Sequence, residues 1–96
     1  MAEYRLSEKA SYDLDDIADY TFEMFGERQA DIYFGKMRDT FAILADRPLM
    51  GKAVNDLAPQ LRSYPFQAHL IYYAPEAEGI FIIRVLHHSR DAKRHL

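Results

Sequence analysis

Two neighbouring apolar stretches decide the fold of this chain, namely His69-Leu70-Ile71-Tyr72-Tyr73 and Ile80-Phe81-Ile82-Ile83-Arg84-Val85-Leu86-His87. In the first stretch, alternate side chains would face opposite sides of a strand. The second is apolar on both faces except at Arg84, which predicts a central strand covered at least partly on both sides. Residues 75–79 between them are typical of a turn that joins adjacent antiparallel strands.

Two further strands are predicted outside this pair. Leu61 to Tyr64 is expected at an edge, because Pro65 lacks the N–H that an inner ladder requires. Ala2 to Leu6 is predicted to form a short strand, and residues 48–52 are predicted to form a loop. Because a buried guanidinium without a partner is costly, Arg84 is expected to point to an edge or to pair with a carboxylate.

The first half of the chain predicts two amphipathic helices. Ser7 is a suitable N-cap, Gly26 a suitable end for the first helix, and Pro48 a stop for the second. A connection this short forces the helices into an antiparallel hairpin. Gly35 indicates either a close approach to the first helix or an unimportant surface site. The apolar stripes comprise Ala10, Leu14, Ile17, Ala18, Thr21 and Phe25 in the first helix and Ala30, Tyr33, Phe34, Met37, Phe41, Leu44 and Ala45 in the second.

The prediction for the whole chain is one α+β domain over residues 1–96. It comprises a short N-terminal strand, an antiparallel two-helix hairpin and a C-terminal antiparallel sheet of three strands. A chain of 96 residues has room for one compact core. The absence of cysteine excludes disulfides and thiolate chemistry. No apolar run approaches the roughly 18 residues that cross a bilayer, so we expect a soluble cytoplasmic protein without a membrane partner.

Charge and residue type exclude several kinds of site. Residues 1–47 hold eleven acids and six bases, a net charge of −5, whereas residues 48–96 hold four acids and six bases, a net charge of +2. With a pI of about 5.7, the chain is a poor general binder of nucleic acid, and no sequence-specific contact is predicted. Adjacent histidines in a strand point to opposite faces, so His87 and His88 with His95 predict no metal site. Ser89 lacks the surroundings of a catalytic nucleophile, and we predict no catalytic residue and no cofactor.

A family resemblance covers nearly the full length of the chain. The elements that carry it follow in a specific order and spacing: Tyr4-Arg5-Leu6-Ser7, Tyr20, Phe25-Gly26, Leu44-Ala45-Asp46-Arg47-Pro48, Leu61-Arg62-Ser63, His69 to Tyr73 and Arg84-Val85-Leu86-His87. Together they resemble the ParE branch of the ParE/RelE superfamily of bacterial toxins. The resemblance implies a helical hairpin on an antiparallel sheet. It also implies the toxin half of a type II toxin–antitoxin pair, in a hetero-oligomer with a ParD-like antitoxin of the ribbon-helix-helix type.

The resemblance requires apolar surface that stays available for an antitoxin after folding. The helices carry more aromatic rings than one buried stripe accommodates, so some are expected to form an exposed groove. The alternative is that these rings fill the core or lie scattered on the surface. The candidate antitoxin contacts are Tyr20, Phe22, Tyr33, Phe34 and Phe41.

The superfamily offers two toxic mechanisms. ParE-like members resemble poisons of DNA gyrase, which block replication and need a binding surface without catalysis, and this is the preferred prediction. RelE-like members cut mRNA on the ribosome, and Arg62, His69, Arg84, His87, His88 and Arg90 are residue types that such chemistry uses. The lack of a tyrosine after Tyr73 and the overall acidity favour the first mechanism. A binding module without toxicity is the third alternative.

The basic C-terminal half is the predicted surface for the toxin's target. The candidate contacts are Arg62, Arg84, His87, Arg90, Lys93 and Arg94. His69 lies between apolar residues and is expected to be structural.

Overall fold

The computed structural model describes residues 2–96, which contain five strands and two helices. They follow the order β1 (Glu3–Leu6), α1 (Glu8–Asp46), β2 (Lys52–Ala53), β3 (Arg62–Phe66), β4 (His69–Glu76), β5 (Gly79–His87) and α2 (Ala92–His95). The strands form one sheet in the order β1-β5-β4-β3-β2. β1 pairs with β5 in parallel, and the other neighbours are antiparallel. The predicted α+β class is confirmed.

The helical part differs from the prediction of two separate helices. α1 is one helical run of 39 residues, interrupted by the non-helical φ of 86° and ψ of 170° at Gly26. A straight helix of this length would measure about 58 Å, which exceeds the longest extent of the molecule, 37 Å. Ala10 near its start and Phe41 near its end belong to the same core, so the run bends at Gly26 and both arms pack on the sheet.

Ser7 joins the start of α1 to the sheet. Its Oγ accepts a hydrogen bond from the amide of Ala10 at 2.9 Å, which confirms the predicted N-cap. The same hydroxyl donates to the carbonyl of Ile83 at 2.7 Å, and the Ser7 amide donates to the carbonyl of Ile82 at 2.9 Å. The helix therefore begins where β1 ends, beside β5.

The sheet has two more strands than the C-terminal three that were predicted, because β1 joins it and β2 was missed. Residues 48–52 were predicted as a loop, but Lys52 pairs with Ser63 in β3. The prediction that β3 is an edge strand is therefore wrong for its first two residues, which pair with β2. Pro65 lies beyond the residues paired with β2, where that edge is open. β5 lies between β1 and β4, as predicted for a central strand.

The turn between β4 and β5 is tighter than predicted. Glu76 pairs with Gly79, so the loop consists of residues 77 and 78 instead of 75–79. Gly79 has a φ of 146°, and a β-carbon there would collide with the backbone of Glu3 in β1. Glycine at this position is what allows β1 to approach β5.

Apolar residues cover both faces of the sheet. The main core lies under α1 and includes Met37, Leu44, Ile71, Tyr73 and Ile82. A smaller cluster of Leu61, Tyr72 and Leu86 lies on the opposite face, beneath residues 54–58 and Ala92. Within residues 2–96, neither helix is long and apolar enough to span a bilayer.

Candidate partner-binding groove

A groove of about 840 Å³ separates the bent helix α1 from the ends of β4 and β5. Its helical wall carries aromatic and aliphatic side chains interspersed with polar ones such as Asp16, Gln29 and Lys36, and its sheet wall carries histidine and arginine. The main lining residues are Ile17, Tyr20, Phe25, Ile32 and Tyr33 from α1, and His69, Arg84, His87 and Arg90 from the sheet and the turn after it. A wall of mixed apolar and polar side chains with basic groups facing it suits a polypeptide partner.

The five predicted antitoxin contacts fall into different environments. Tyr20 is 61% exposed and Phe22 55% exposed, and Tyr33 and Phe34 are half-buried against the core. Phe41 is only 2% exposed and packs against the ring of Tyr4, so the prediction that it lies on a binding surface is wrong. All five residues lie in the described part of the chain, and two of them, Tyr20 and Tyr33, line the groove.

Two strongly exposed apolar residues of the groove are not among the contacts predicted from the sequence. Phe25 is 62% exposed and Ile32 is 42% exposed. Phe25 continued the helical spacing of the first stripe and was therefore assigned to the buried face. Its position next to Gly26 was the available signal, since a helix that bends there turns its last apolar residue away from the core.

Three histidines and a tyrosine connect the two walls. The hydroxyl of Tyr33 lies 2.8 Å from Nδ1 of His69, and the ring of His69 meets that of His87 edge-on at 5.6 Å. His87 in turn stacks on His88 at 4.4 Å. Burial lowers the pKa of His69, and the neighbouring His87 and His88 lower it further, while Asp13 opposes them. His69 therefore has the structural contacts that were predicted for it.

His87 is exposed and bonded to its own turn. The amide of Ser89 donates to His87 Nδ1 at 3.2 Å, and the Ser89 hydroxyl lies 2.7 Å from the same atom. Such a local bond between residues two apart fixes the turn after β5. In residues 2–96, no three histidine or carboxylate side chains converge on a place that would hold a metal ion.

Arg84 pairs with a carboxylate, which confirms one of its two predicted alternatives. Its Nε and Nη2 donate to the two oxygens of Asp13, each at 2.8 Å, and Nη1 donates to the carbonyl of His95. Asp13 also accepts the amide of Val85 at 3.0 Å. The hydrogen bonds to Asp13 and the charge of this carboxylate raise the pKa of Arg84 above its ordinary value, against the effect of burial. The guanidinium therefore joins α1, β5 and α2.

A β-bulge allows Arg84 to make these contacts. Tyr72 pairs with Arg84 while Tyr73 pairs with Ile82, so Ile83 is an extra residue in β5. The bulge changes the alternation of side chains, since Ile82 and Val85 both face the core under α1. The arginine between them reaches α1 on one side and the C-terminal residues on the other.

Arg62 is also engaged within the fold. Its Nη1 donates to the carbonyl of Gly51 at 2.6 Å and to that of Leu49 at 3.3 Å. The hydroxyl of Tyr73 accepts the amide of Gly51 and donates to the carbonyl of Pro48, both at 2.8 Å. Together these bonds hold the loop between α1 and β2 against the sheet.

The other predicted target contacts are exposed. Arg90 lines the groove, and Lys93 and Arg94 lie on α2. Asp91 caps that short helix by accepting the amide of Lys93 at 3.1 Å. Thus His87 and three basic side chains at the C-terminus face solvent, whereas Arg62 and Arg84 bind other parts of the chain.

Comparisons with known proteins agree with this architecture. Residues 4–92 match the family described as the ParE toxin of the type II toxin–antitoxin system, parDE. The chain is 36% identical over 96 residues to Toxin ParE1 of Caulobacter vibrioides, covering 100% of this chain and 99% of that protein. It is 32% identical over 94 residues to Toxin ParE1 of Mycobacterium tuberculosis, covering 97% and 96%.

A solved structure shares the fold. It is described as the chromosomal ParDE TA system from P. aeruginosa and superposes with a TM-score of 0.75 at 19% identity, covering 91% of this chain and 96% of that one. The sequence matches place the chain in the class of type II toxin–antitoxin proteins, on the toxin side. Within that class, the chain belongs to the ParE toxin family, and the resemblance noted from the sequence is confirmed.

Proposed function

We propose that this toxin inhibits DNA gyrase in the cytoplasm, and so blocks DNA replication, and that a ParD-like antitoxin neutralises it by binding the groove. Membership of the ParE family over residues 4–92 is the observation that carries the proposal. The toxin acts by binding instead of by catalysis, in a hetero-oligomer with its antitoxin when neutralised.

The groove supports the antitoxin part of the proposal. Tyr20, Phe25 and Ile32 expose apolar surface along one wall, beside the partly buried Tyr33. Large exposed apolar side chains that lie together mark interaction sites. A partner helix or extended segment that covers them removes this surface from water.

The basic C-terminal residues support the proposal that the toxin binds gyrase. Arg90, Lys93 and Arg94 are exposed close together after β5, opposed in sequence by Asp91. Such a cluster attracts an acidic protein surface or DNA held by a protein. The first arm of α1, residues 8–25, carries six carboxylates and one lysine. This negative charge opposes general binding of nucleic acid.

The contacts of two arginines support a mechanism without catalysis. Cleavage of RNA needs cations that stabilise the developing phosphorane charge. Arg84 is bound to Asp13, and Arg62 to the loop carbonyls, so neither guanidinium is directed at a substrate. Ribosome-dependent mRNA cleavage stays the alternative, because His69, His87 and Arg90 line the same groove.

Two assays on the purified protein separate these mechanisms. We expect it to stop supercoiling by gyrase and to trap cleaved plasmid DNA, while ribosome-bound mRNA stays intact. Normal supercoiling together with cut mRNA would establish the ribonuclease instead. Harmless expression without an antitoxin would leave only the non-toxic binding module.

A further inference from the structure

The C-terminal segment, residues 88–96, has few connections to the rest of the fold. The amide of His88 donates to the carbonyl of Ala68 at 2.8 Å, and Ala92 packs on the smaller apolar cluster. From Asp91 onward, the backbone hydrogen bonds found in the described part of the chain are local, such as Leu96 to Ala92 at 3.0 Å. α2 has only four residues and none of them is buried, so it is not stable by itself.

Arg84 supplies the side-chain hydrogen bond that reaches α2 from the sheet. Its Nη1 donates to the carbonyl of His95 in the last turn of α2. The guanidinium cannot rotate away, because Nε and Nη2 are held by both oxygens of Asp13. The side chains of Arg84 and Asp13 are 15% and 12% exposed, so water competes little for these bonds.

We propose that Arg84 is a positioning residue, and that the Asp13–Arg84–His95 connection, here called the C-terminal latch, sets the place and orientation of Lys93 and Arg94. In the latch, Asp13 holds the guanidinium and the guanidinium holds α2. The helix α1 thereby determines how the basic end of the chain is presented. Asp13 matters for this presentation although it carries the wrong charge to contact an anionic target.

The functional consequence of the latch rests on the proposed role of the C-terminal basic residues in target binding, whereas the latch itself does not. Loss of toxicity on mutating Arg84 would follow from a released α2 and not from a lost contact with the target. Mutating Asp13 should then have the same effect as mutating Arg84. A direct target contact by Arg84 predicts reduced toxicity in both variants as well, but without release of α2.

Trypsin reports the position of this segment directly, because it cuts after Arg90, Lys93 and Arg94. We would measure by mass spectrometry how fast the folded full-length protein loses these last residues. Arg84→Lys keeps the charge, but one ammonium group cannot hold Asp13 and His95 together. We expect this variant and Asp13→Asn to be cut about tenfold faster or more, the factor that one charge-assisted hydrogen bond contributes.

Arg5→Lys is the matched control. Arg5 also donates through Nε to a carboxylate, that of Glu76 at 3.1 Å, but this pair is exposed and lies at the β4–β5 turn. The control should be cut at the rate of the unmodified protein. Equal rates for the folded Arg84→Lys variant and the unmodified protein would overturn the latch, as would equal acceleration in the Arg5→Lys control.

Toxicity of the same variants tests the functional part separately. Faster cutting with reduced toxicity in both the Arg84→Lys and Asp13→Asn variants supports the whole inference. Faster cutting with unchanged toxicity keeps the latch and overturns the proposed role of Lys93 and Arg94 at the target. Should Asp13→Asn fail to fold, the conservative Arg84→Lys variant still decides the outcome.

Discussion

At the scale of single residues, the hydroxyl of Tyr73 fixes the loop that follows α1. It is buried and makes two hydrogen bonds, with the amide of Gly51 and the carbonyl of Pro48. Tyr73→Phe leaves both backbone groups without this partner, which costs about 1–3 kcal/mol of unfolding free energy. Urea unfolding measures the loss. The control Tyr20→Phe, at an exposed ring, should stay within about 0.5 kcal/mol, and equal stabilities for the two variants would contradict the account.

His69 should make the stability of the fold depend on pH. Its pKa is lowered from 6.5 in the folded protein, mainly by burial, so the unfolded chain binds more protons below that value. The stability that comes from keeping His69 neutral is fully present above pH 6.5, the ordinary pKa of histidine. It is lost as the pH falls toward the lowered pKa of the folded protein. We expect a smaller urea midpoint near about pH 5.5 than near about pH 7.5, and a smaller difference in His69→Gln. An unchanged difference in that variant would assign the effect to other groups.

Single residues also show where sequence reasoning ends. The high cost of a buried cation was enough to predict a carboxylate partner for Arg84. It could not identify Asp13, which lies 71 residues earlier. That choice depends on how α1 lies across the sheet and on the bulge at Ile83, and both arise from packing between distant segments.

At the scale of elements, two glycines of α1 have opposite roles. Gly26 has a φ of 86°, which side chains with a β-carbon rarely adopt, whereas Gly35 is helical and nothing lies within 4 Å of a β-carbon added there. Of the two alternatives for Gly35, the close approach of the helices is therefore not present, and the open surface site agrees with the structure. Gly26→Ala should lower the free energy of unfolding by about 1–3 kcal/mol. Gly35→Ala should raise it by about 0.5–1 kcal/mol.

Thermal or urea unfolding of both variants tests the bend of α1. Each adds the same methyl group to the same helix, so the pair controls for side-chain chemistry. If the helix were straight or freely flexible at Gly26, alanine would raise the free energy of unfolding at both positions. That result would contradict the folded-back arrangement of the two arms.

Most of the elements that were predicted correctly have a long periodic pattern, and the short strand β1 was also predicted at its place in the chain. β4, β5 and both arms of α1 follow from alternation or from helical spacing. β2 has only two residues, Lys52 and Ala53, and both are exposed, so it carries no alternation to detect. The parallel pairing of β1 with β5 depends on the length and bend of α1, which sequence spacing alone does not determine.

At the scale of the whole molecule, the groove is a product of folding that no local pattern indicates. It brings Tyr20 and Phe25 from one part of the chain opposite His87 and Arg90 from another. From the sequence, aromatic residues are predicted to bind the antitoxin and basic residues to bind the target, on two separate surfaces. The structure places members of both sets around one groove, so a bound antitoxin would also cover part of the proposed target surface.

Antitoxin binding tests the groove. Phe25 is 62% exposed, so Phe25→Asp should leave the fold intact while placing a charge in the apolar wall. We expect this variant to lose co-purification with the antitoxin and to stay toxic when the antitoxin is present. Phe22→Asp is the control, since Phe22 is 55% exposed but does not line the groove. Loss of binding in the control alone would place the antitoxin on the other side of α1.

The most direct test of the central claim is a DNA cleavage assay with purified gyrase and plasmid. We predict that the unmodified protein makes linear plasmid accumulate with dose. The triple variant Arg90→Ala, Lys93→Ala and Arg94→Ala should not do so, although its sheet and α1 are unchanged. Normal supercoiling in the presence of the unmodified protein would contradict gyrase inhibition, and full activity of the triple variant would contradict target binding through the basic C-terminus.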